Sequence, residues 1–438
     1  MRSLLDAPYE CLVVALLHSC MLEPMLNVRK VRQPQCFDRF RCTGADCEDT
    51  CCAGWGLPVD QETYEKYQNL PGHRIAGKAL ASLVEINPAP SSSRDYAAFR
   101  LEKERCPALH QGLCSIQQAL GEPYIPDVCS TYPRVLTMIG GALEKSFHLS
   151  CPVAARLVLN DPDAMVFQER MEGELSCRSG SITQVAGDPG DRIEKVRTHV
   201  IAVIRERSLP LWQRIVSLGS ALERLAGVEI TSGAAILEDH LRNLRQGLFN
   251  DTFAARKGDP AFQLETVMKL LVIRPGSEYS TPRFLECYND FRRGLDWTAD
   301  STIEALATRY YLSSQSYFLP FVRRHEHLLE NYLVNYIFKS VFPYLCKLPD
   351  QKFAIDSGRE SLRKSFLLLS VHYAILRTLL IGMAALHKDQ LSVDHVVKLV
   401  QSQSKTFSSP GSFETVAVEY LAKIFEDPVN EIAVLVMD

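Results

Sequence analysis

The sequence predicts a mainly α protein: an N-terminal cysteine-rich, metal-binding domain of short helices and loops, followed by an all-helical C-terminal domain. Three observations predict it. Of 14 cysteines in 438 residues, nine lie between Cys36 and Cys151, and the other 322 residues hold five. The same stretch is dense in turn formers, among them Gly44, Gly54, Pro58, Pro107, Gly112, Gly121, Pro126, Pro133, Gly140 and Gly141. Beyond about Pro189, apolar residues recur at helical spacing with few strand signals. The expected division is residues 1–34 as leader, 35–162 as cysteine-cluster domain and 189–438 as helical domain.

Within the leader, Cys11 to Cys20 (CLVVALLHSC) is a short apolar run. It is a poor signal peptide, because Arg2 is the only basic residue before it and Asp6 and Glu10 intrude. His18 stands where a lipoprotein signal needs a small residue, and the run is too short to cross a bilayer. It reads as a short helix, or as residues translated from a start codon upstream of Met21 or Met25. The expected compartment is the cytoplasm, where thiols stay reduced.

In the cysteine region, Asp60 is placed to cap a helix running to Leu70, and Gly121 stops another over Ser115 to Leu120. TYPRVLTMIGGALEKSFHLSC alternates weakly and fits a hairpin turned at Gly140-Gly141. Helical spacing then marks Asp191 to Glu206, Leu211 to Leu225, Ala235 to Leu248, Ala261 to Ile273, Pro282 to Leu295, Ser301 to Phe342 with a break at Pro320, Glu360 to Leu386, Ser392 to Gln403 and Ser412 to Phe425. Ser392 to His395 carries a capping signal. The most apolar segment, SFLLLSVHYAILRTLLIGMAALH, is interrupted by His372 and Arg377 and reads as a buried core helix. With 46% hydrophobic and 23% charged residues the composition is that of an ordinary globular protein. A net charge of -4 offers no basic field, so neither nucleic acid nor membrane is an expected partner.

A chain this long buries a large core without staples, so clustered cysteines in a reducing compartment point to metal rather than disulfides. The set is Cys42, Cys47, Cys51, Cys52, Cys106, Cys114, Cys129 and Cys151, the first four as C-x4-C-x3-C-C. Thiolates suit iron–sulfur clusters and zinc because sulfur is soft and is readily deprotonated by the metal. Cys42, Cys47 and Cys51 or Cys52 can wrap one centre, and the other four can close it or build a second. Proline follows Cys106 and Cys151, as it follows ligating cysteines in bacterial ferredoxins, and it stiffens the loop. Structural zinc usually takes two C-x2-4-C pairs. Cys47 and Cys51 supply one and no second follows, while the adjacent Cys51 and Cys52 do not readily share one tetrahedral ion. An iron–sulfur cluster, of the 4Fe-4S type, is therefore favoured, with zinc as the alternative.

The segments FRCTGADCEDTCCAGW, CPALHQGLCSIQQALGEPYIPDVCSTYPR and EKSFHLSCPVAARL resemble the flagellin lysine N-methylase family, part of a wider group of cysteine-cluster proteins that chelate zinc or iron. ENYLVNYIFKSVFP and the helix ending IGMAALHK resemble it too, and the likeness covers about Phe37 to Leu399. The resemblance implies methyl transfer from S-adenosylmethionine to lysine side chains of flagellin, in a bacterial flagellum, with an iron–sulfur cluster involved. No G-x-G-x-x-G or βαβ alternation is present, so the methyl donor would not sit on a Rossmann turn.

Methylating lysine needs a neutral amine, hence a base or a desolvating pocket. Tyr132, Asp127 and Glu48, beside ligand-type cysteines, are the catalytic candidates, with Asp49 as a further acid; the plainer reading makes them helix caps and loop hydrogen-bonders. His325-Glu326-His327 lacks H-E-x-x-H spacing and reads as solvated helix surface. Cys11, Cys20, Cys177, Cys287 and Cys346 are isolated and read as small hydrophobes or surface thiols. The rival readings are a non-enzymatic iron- or zinc-chelating protein and a zinc-stapled interaction scaffold.

Overall fold

A computed structural model describes residues 29–173, 182–186, 191–273, 281–347, 353–407 and 412–438. Most of the expected leader, with Cys11 and Cys20, and also Cys177 lie outside the described residues.

The first described element lies within the last residues of the expected leader. Arg29–Pro34 is a strand, β1. After it come the short strands of a small lobe: β2 (Pro58–Val59), β3 (Arg74–Ile75), β4 (Lys78–Ala79), β5 (Val84–Ile86), β6 (Ala97–Phe99), β7 (Leu109–His110) and β8 (Leu113–Cys114). Longer strands follow: β9 (Arg134–Ile139), β10 (Ala142–Phe147), β11 (Phe167–Glu172) and β12 (Ile182–Ala186). Two more, β13 (Leu345–Lys347) and β14 (Phe353–Ile355), lie far along the chain.

β1 lies inside a seven-stranded sheet of order β11-β1-β10-β9-β12-β14-β13. The β9–β10 hairpin is antiparallel, Ala142 opposite Ile139, and turns at Gly140-Gly141 as the alternation predicts. Both glycines have positive φ, which a hairpin turn this tight requires. β1 runs parallel to β10 and antiparallel to β11. Its sequence, RKVRQP, carries three basic residues and a proline and gives no strand pattern. Tertiary pairing overrides the pattern: Val31 and Gln33 are wholly buried, and Arg32 meets Glu144 of β10 at 3.0 Å. Arg197, on the helix Arg192–Ile204, bonds the same carboxylate and ties the sheet to the helical part.

Two further expectations change. The cysteine region is built on strands as well as short helices and loops. The C-terminal part is not all-helical, since β13 and β14 complete the sheet through β12. Both are three residues long, too short to display alternation.

The helical expectations otherwise hold well. Asp60 caps Gln61–Gln68 by accepting from the Thr63 N–H at 2.9 Å. Ser115–Leu120 stops at Gly121, and Ser392 and His395 form a capping box on Val393–Thr406. The helix break falls at His325, not Pro320. A π-helical turn at Ser314–Phe318 precedes Leu319–Arg324, and Pro320 sits in that helix's first turn, where its missing N–H costs nothing.

The helix Arg359–His387 is the axis of the body. It is the one helix among the described residues long and apolar enough to cross a membrane, and its most apolar stretch is entirely buried in the protein. It packs closely on Pro282–Gly294, where a Cβ added to Gly294 would lie 1.9 Å from the Gly382 carbonyl oxygen. One apolar core extends from Cys36 to Met437 and so joins the sheet to the helices. A second, smaller core is confined to the lobe between Leu57 and Ile125.

Candidate metal centre

The loop from Arg41 to Gly56 carries Cys42, Cys47, Cys51 and Cys52. Gly44–Asp46 makes a 3-10 turn, and the Gly44 N–H points at the Cys42 sulfur at 3.4 Å. Trp55 Nε1–H donates to the Cys51 carbonyl at 2.7 Å, and the Cys106 N–H donates to the Cys52 carbonyl at 2.8 Å. The β7–β8 hairpin, which ends on Cys114, is packed against this loop. Gly112 at its tip would place a Cβ 2.9 Å from the Cα of Ala45, so only glycine allows that approach. Cys129 lies on the short helix Asp127–Thr131, whose first N–H donates to Asp60 Oδ2 at 2.8 Å. Cys151 precedes the helix Pro152–Leu159.

Loop, hairpin and two helix starts carry seven of these cysteines, Cys106 precedes the hairpin, and packing places five of the eight against one core or the other. Cys52, Cys106, Cys114 and Cys129 border the small-lobe core, whereas Cys151 belongs to the main core. Their electrostatics divide in the same way. Burial pushes the Cys129 thiol well up, and the charges of Cys52, Cys106 and Cys114 add to it. Burial likewise takes Cys106 to about 12, with Cys52 and Cys114 among the charges it feels. Burial raises Cys151 to about 11, and the charges it feels are Cys47 and Cys42. Cys51 and Cys52 form the seam: a hydrogen bond between them raises Cys51 and lowers Cys52.

The described cysteines are free thiols. Among the described residues, no three histidine, cysteine, aspartate or glutamate side chains stand close enough together to hold a metal ion as placed. The donor chemistry still fits a thiophilic metal. Neutral thiols do not draw one another in, and a cation's charge is what pulls thiolates onto a common centre.

The helical part grips the cysteine loop between Cys47 and Cys51. Lys405, on Val393–Thr406, is 2% exposed, and its ammonium donates to Asp49 Oδ1 at 2.6 Å and to the Thr50 carbonyl at 3.0 Å. It also lies 5.4 Å from the Trp55 ring centroid. Gln401 Nε2 donates to Asp49 Oδ2 at 2.7 Å and to the Ser150 carbonyl at 2.8 Å. Its Oε1 accepts from Arg283 at 2.9 Å.

The three catalytic candidates have different surroundings. Glu48 is paired with the guanidiniums of Arg156 and Arg283, both at Oε1. Asp127 opens its helix beside Asp60, on the small-lobe side of the cysteines. Tyr132 stacks edge-on against Trp55 at 5.4 Å, and its hydroxyl is 2.9 Å from Ser150 Oγ, which is 2.7 Å from His148 Nδ1. Burial raises Tyr132 well above the usual phenol range and lowers His148 to about 3, with Lys339 as the other charge acting on it. At neutral pH the pair is therefore a phenol and a neutral imidazole joined through a hydroxyl. Burial also pushes the Lys339 ammonium down. Sequence reasoning missed His148, Ser150, Gln401 and Lys405. Lys405 is 356 residues from its partner Asp49, and no local pattern marks the pairing.

His325 and His327 have ring centroids 6.4 Å apart, and among the described residues no third ligand joins them. Cys287 is buried as a small hydrophobe, matching its expected role.

Compared with known proteins, residues 197–435 match the model of the FliB lysine N-methylase C-terminal domain. The chain belongs to the FliB lysine N-methylase family. A stretch of 143 residues is 30% identical to a lysine-N-methylase of Salmonella typhimurium, covering 32% of this chain and 35% of that protein. A 143-residue stretch is 29% identical to the flagellar biosynthetic protein FliU of Salmonella muenchen, covering 83% of that protein. A lysine-N-methylase of Salmonella choleraesuis is 29% identical over 143 residues, 35% of its length. The aligned part of the chain therefore spans well under half of the two lysine-N-methylases. No solved structure matches. In this FliB family member, the matched domain is the one that supplies Arg283, Gln401 and Lys405 to the cysteine loop.

Proposed function

We propose that this chain is a protein-lysine N-methyltransferase that moves a methyl group from S-adenosylmethionine to lysine side chains of flagellin, with a thiolate metal centre, an iron–sulfur cluster ahead of zinc. Family membership and the names of the relatives support the reaction class. The single geometric observation that carries it is the contact between the family domain and the cysteine loop, through Lys405, Gln401 and Asp49, beside the Tyr132–Ser150–His148 chain.

In the transfer, the lysine amine lone pair forms a bond to the methyl carbon while the carbon–sulfur bond breaks and its electron pair goes to sulfur. The amine must first be neutral. An enclosed, weakly polar interior favours that state, as the depressed ammonium of Lys339 illustrates. Neutral His148 accepts from the Ser150 hydroxyl, Ser150 accepts from Tyr132, and the Tyr132 oxygen is left free to accept an amine N–H and aim the lone pair. A phenol with a raised pKa orients rather than deprotonates. A bound metal would supply Lewis-acid or redox chemistry beside this chain, held by the cysteines.

Co-expression with flagellin followed by mass spectrometry tests the reading. The wild type is expected to methylate flagellin lysines, and Tyr132→Phe, with its metal retained, is expected to lose about 10²-fold of the rate. Full activity in Tyr132→Phe would reject the orienting role. A fully metallated wild type that leaves flagellin unmodified would favour the chelating or scaffold reading.

A further inference from the structure

We propose that His387 and His395 form an acid-sensitive latch at the start of the helix that grips the cysteine loop: neutral His395 caps that helix, and its protonation releases the cap. The inference stands independently of the methyl-transfer and metal readings.

The helix Val393–Thr406 carries Gln401 and Lys405, which hold Asp49 and the Ser150 carbonyl. Its start is a capping box, with Ser392 as N-cap and His395 three residues on. That third position ordinarily takes Glu or Gln, whose oxygen accepts from the N-cap N–H at neutral and mildly acidic pH alike. Here the acceptor is an imidazole nitrogen. His395 Nδ1 lies 3.1 Å from the Ser392 nitrogen and 2.8 Å from Ser392 Oγ. A backbone N–H only donates, so Nδ1 accepts, and the ring is the neutral tautomer with its proton on Nε2. A proton on Nδ1 would aim one N–H at another. The Ser392 N–H then loses its acceptor, and the hydroxyl contact survives only with its direction reversed.

The surroundings oppose that proton. His387 ends the helix Arg359–His387, and its ring centroid is 4.1 Å from that of His395. Its Nε2 lies 3.2 Å from Asp290 Oδ2, to which it donates in either protonation state. Asp290, on Pro282–Gly294, also meets Arg293 at 3.5 Å. On the capped helix itself, Asp394 and Lys398 act on His395, and Lys398 pairs with Glu286 of Pro282–Gly294 at 2.5 Å. Burial lowers the proton affinity of His395; His387 and Lys398 act in the same direction, and Asp290 and Asp394 act against it. A histidine lowered on folding stabilises the folded state fully above its usual value of 6.5 and loses that contribution as pH falls. Both rings are half-buried, within reach of protons from solvent. The turn Lys388–Gln390, which joins the two helices, is exposed, so a released helix start has room to open.

Hydrogen exchange of the full-length protein tests the latch, read by mass spectrometry over Ser392–Val397 at about pH 7.5 and about pH 5.5. The wild type and His395→Gln are compared at the same pH, so that the chemical pH dependence of exchange cancels. Glutamine keeps a neutral acceptor at this position. We expect equal protection at the higher pH. At the lower pH the wild type should exchange about tenfold faster than His395→Gln, the scale on which a lost cap shifts helix opening. His395→Glu, whose carboxylate stays ionised at the lower pH, is expected to match the glutamine variant and decides if that variant does not fold. His387→Gln keeps a donor for Asp290 but carries no charge, and it is expected to move the onset of opening to higher pH. Equal exchange in the wild type and both His395 variants at the lower pH would overturn the proposal. So would a wild-type helix start already open at the higher pH, or an onset unmoved in His387→Gln.

Discussion

The helical body and the small cysteine lobe hold themselves together by different means. The body is organised on the 29-residue helix Arg359–His387, whose buried face includes Phe366, Leu369, Ile375, Leu379 and Met383. The lobe has two-residue strands, 3-10 turns and an apolar core of modest size, and its largest shared feature is a group of thiols. An element that buries a continuous apolar stripe is stable by packing. A set of short turns around sulfur is stable chiefly when something binds the sulfur. On the metal reading proposed above, the lobe depends on metal and the body does not, with Asp49 and Lys405 as the joint between them.

The largest expected effect is on the sheet that joins the two. Starting the chain at Met25 leaves β1 whole, whereas starting at Gln35 removes a strand flanked by β11 and β10. We expect soluble folded protein from the first and none from the second, read by expression and circular dichroism. Equal behaviour would show that β1 is dispensable and that the body ends at the hairpin.

Next is the joint. Lys405→Met removes one partner of a buried ion pair, which typically costs about 3–5 kcal/mol when the other charge is left unpaired. The stability loss should come with faster metal release, because Asp49 lies between Cys47 and Cys51. Unchanged metal retention would separate the loop from the helix that grips it. Within the body alone, Gly294→Ala should destabilise by about 1–3 kcal/mol through overpacking against Gly382, with metal content untouched. Loss of metal in that variant would break the proposed division.

The smallest effect is on pH dependence, and it comes from two buried histidines of the body. Burial holds His148 at about 3 and His240 at about 4 in the folded protein, below the usual 6.5. Between those values the unfolded chain binds more protons, so stability is full above about pH 6.5 and falls as pH drops towards 4. Each histidine contributes a slope of up to about 1.4 kcal/mol per pH unit. Thermal melts from pH 7 to 4 should show this decline, and His240→Gln should flatten it. An unchanged slope would mean that other groups set the acid limit.

Much of this organisation is legible in the sequence where the signal is local. Asp60, Gly121, Gly140-Gly141 and the Ser392–His395 box act within a few residues of themselves, and each appears as read. The apolar run around His372 and Arg377 is a core helix because its polar residues find partners: Arg377 meets the Tyr310 hydroxyl at 2.8 Å. What is not legible is non-local. β1 is recognisable as a strand only beside Glu144 and Glu169, and β13 and β14 only beside β12. The clustering of the cysteines is legible, but which core Cys151 or Cys106 packs into is not. Lys405 resembles any helical lysine until the fold brings Asp49 to it.

The most direct test of the account is an anaerobic reaction of the metal-loaded, full-length protein with flagellin and S-adenosylmethionine carrying an isotopically labelled methyl group. The account predicts label on flagellin lysine nitrogens with the wild type and none above background with Cys47→Ser. A wild type that is fully metallated yet leaves flagellin unlabelled, or a metal-free protein that labels it equally fast, would contradict it.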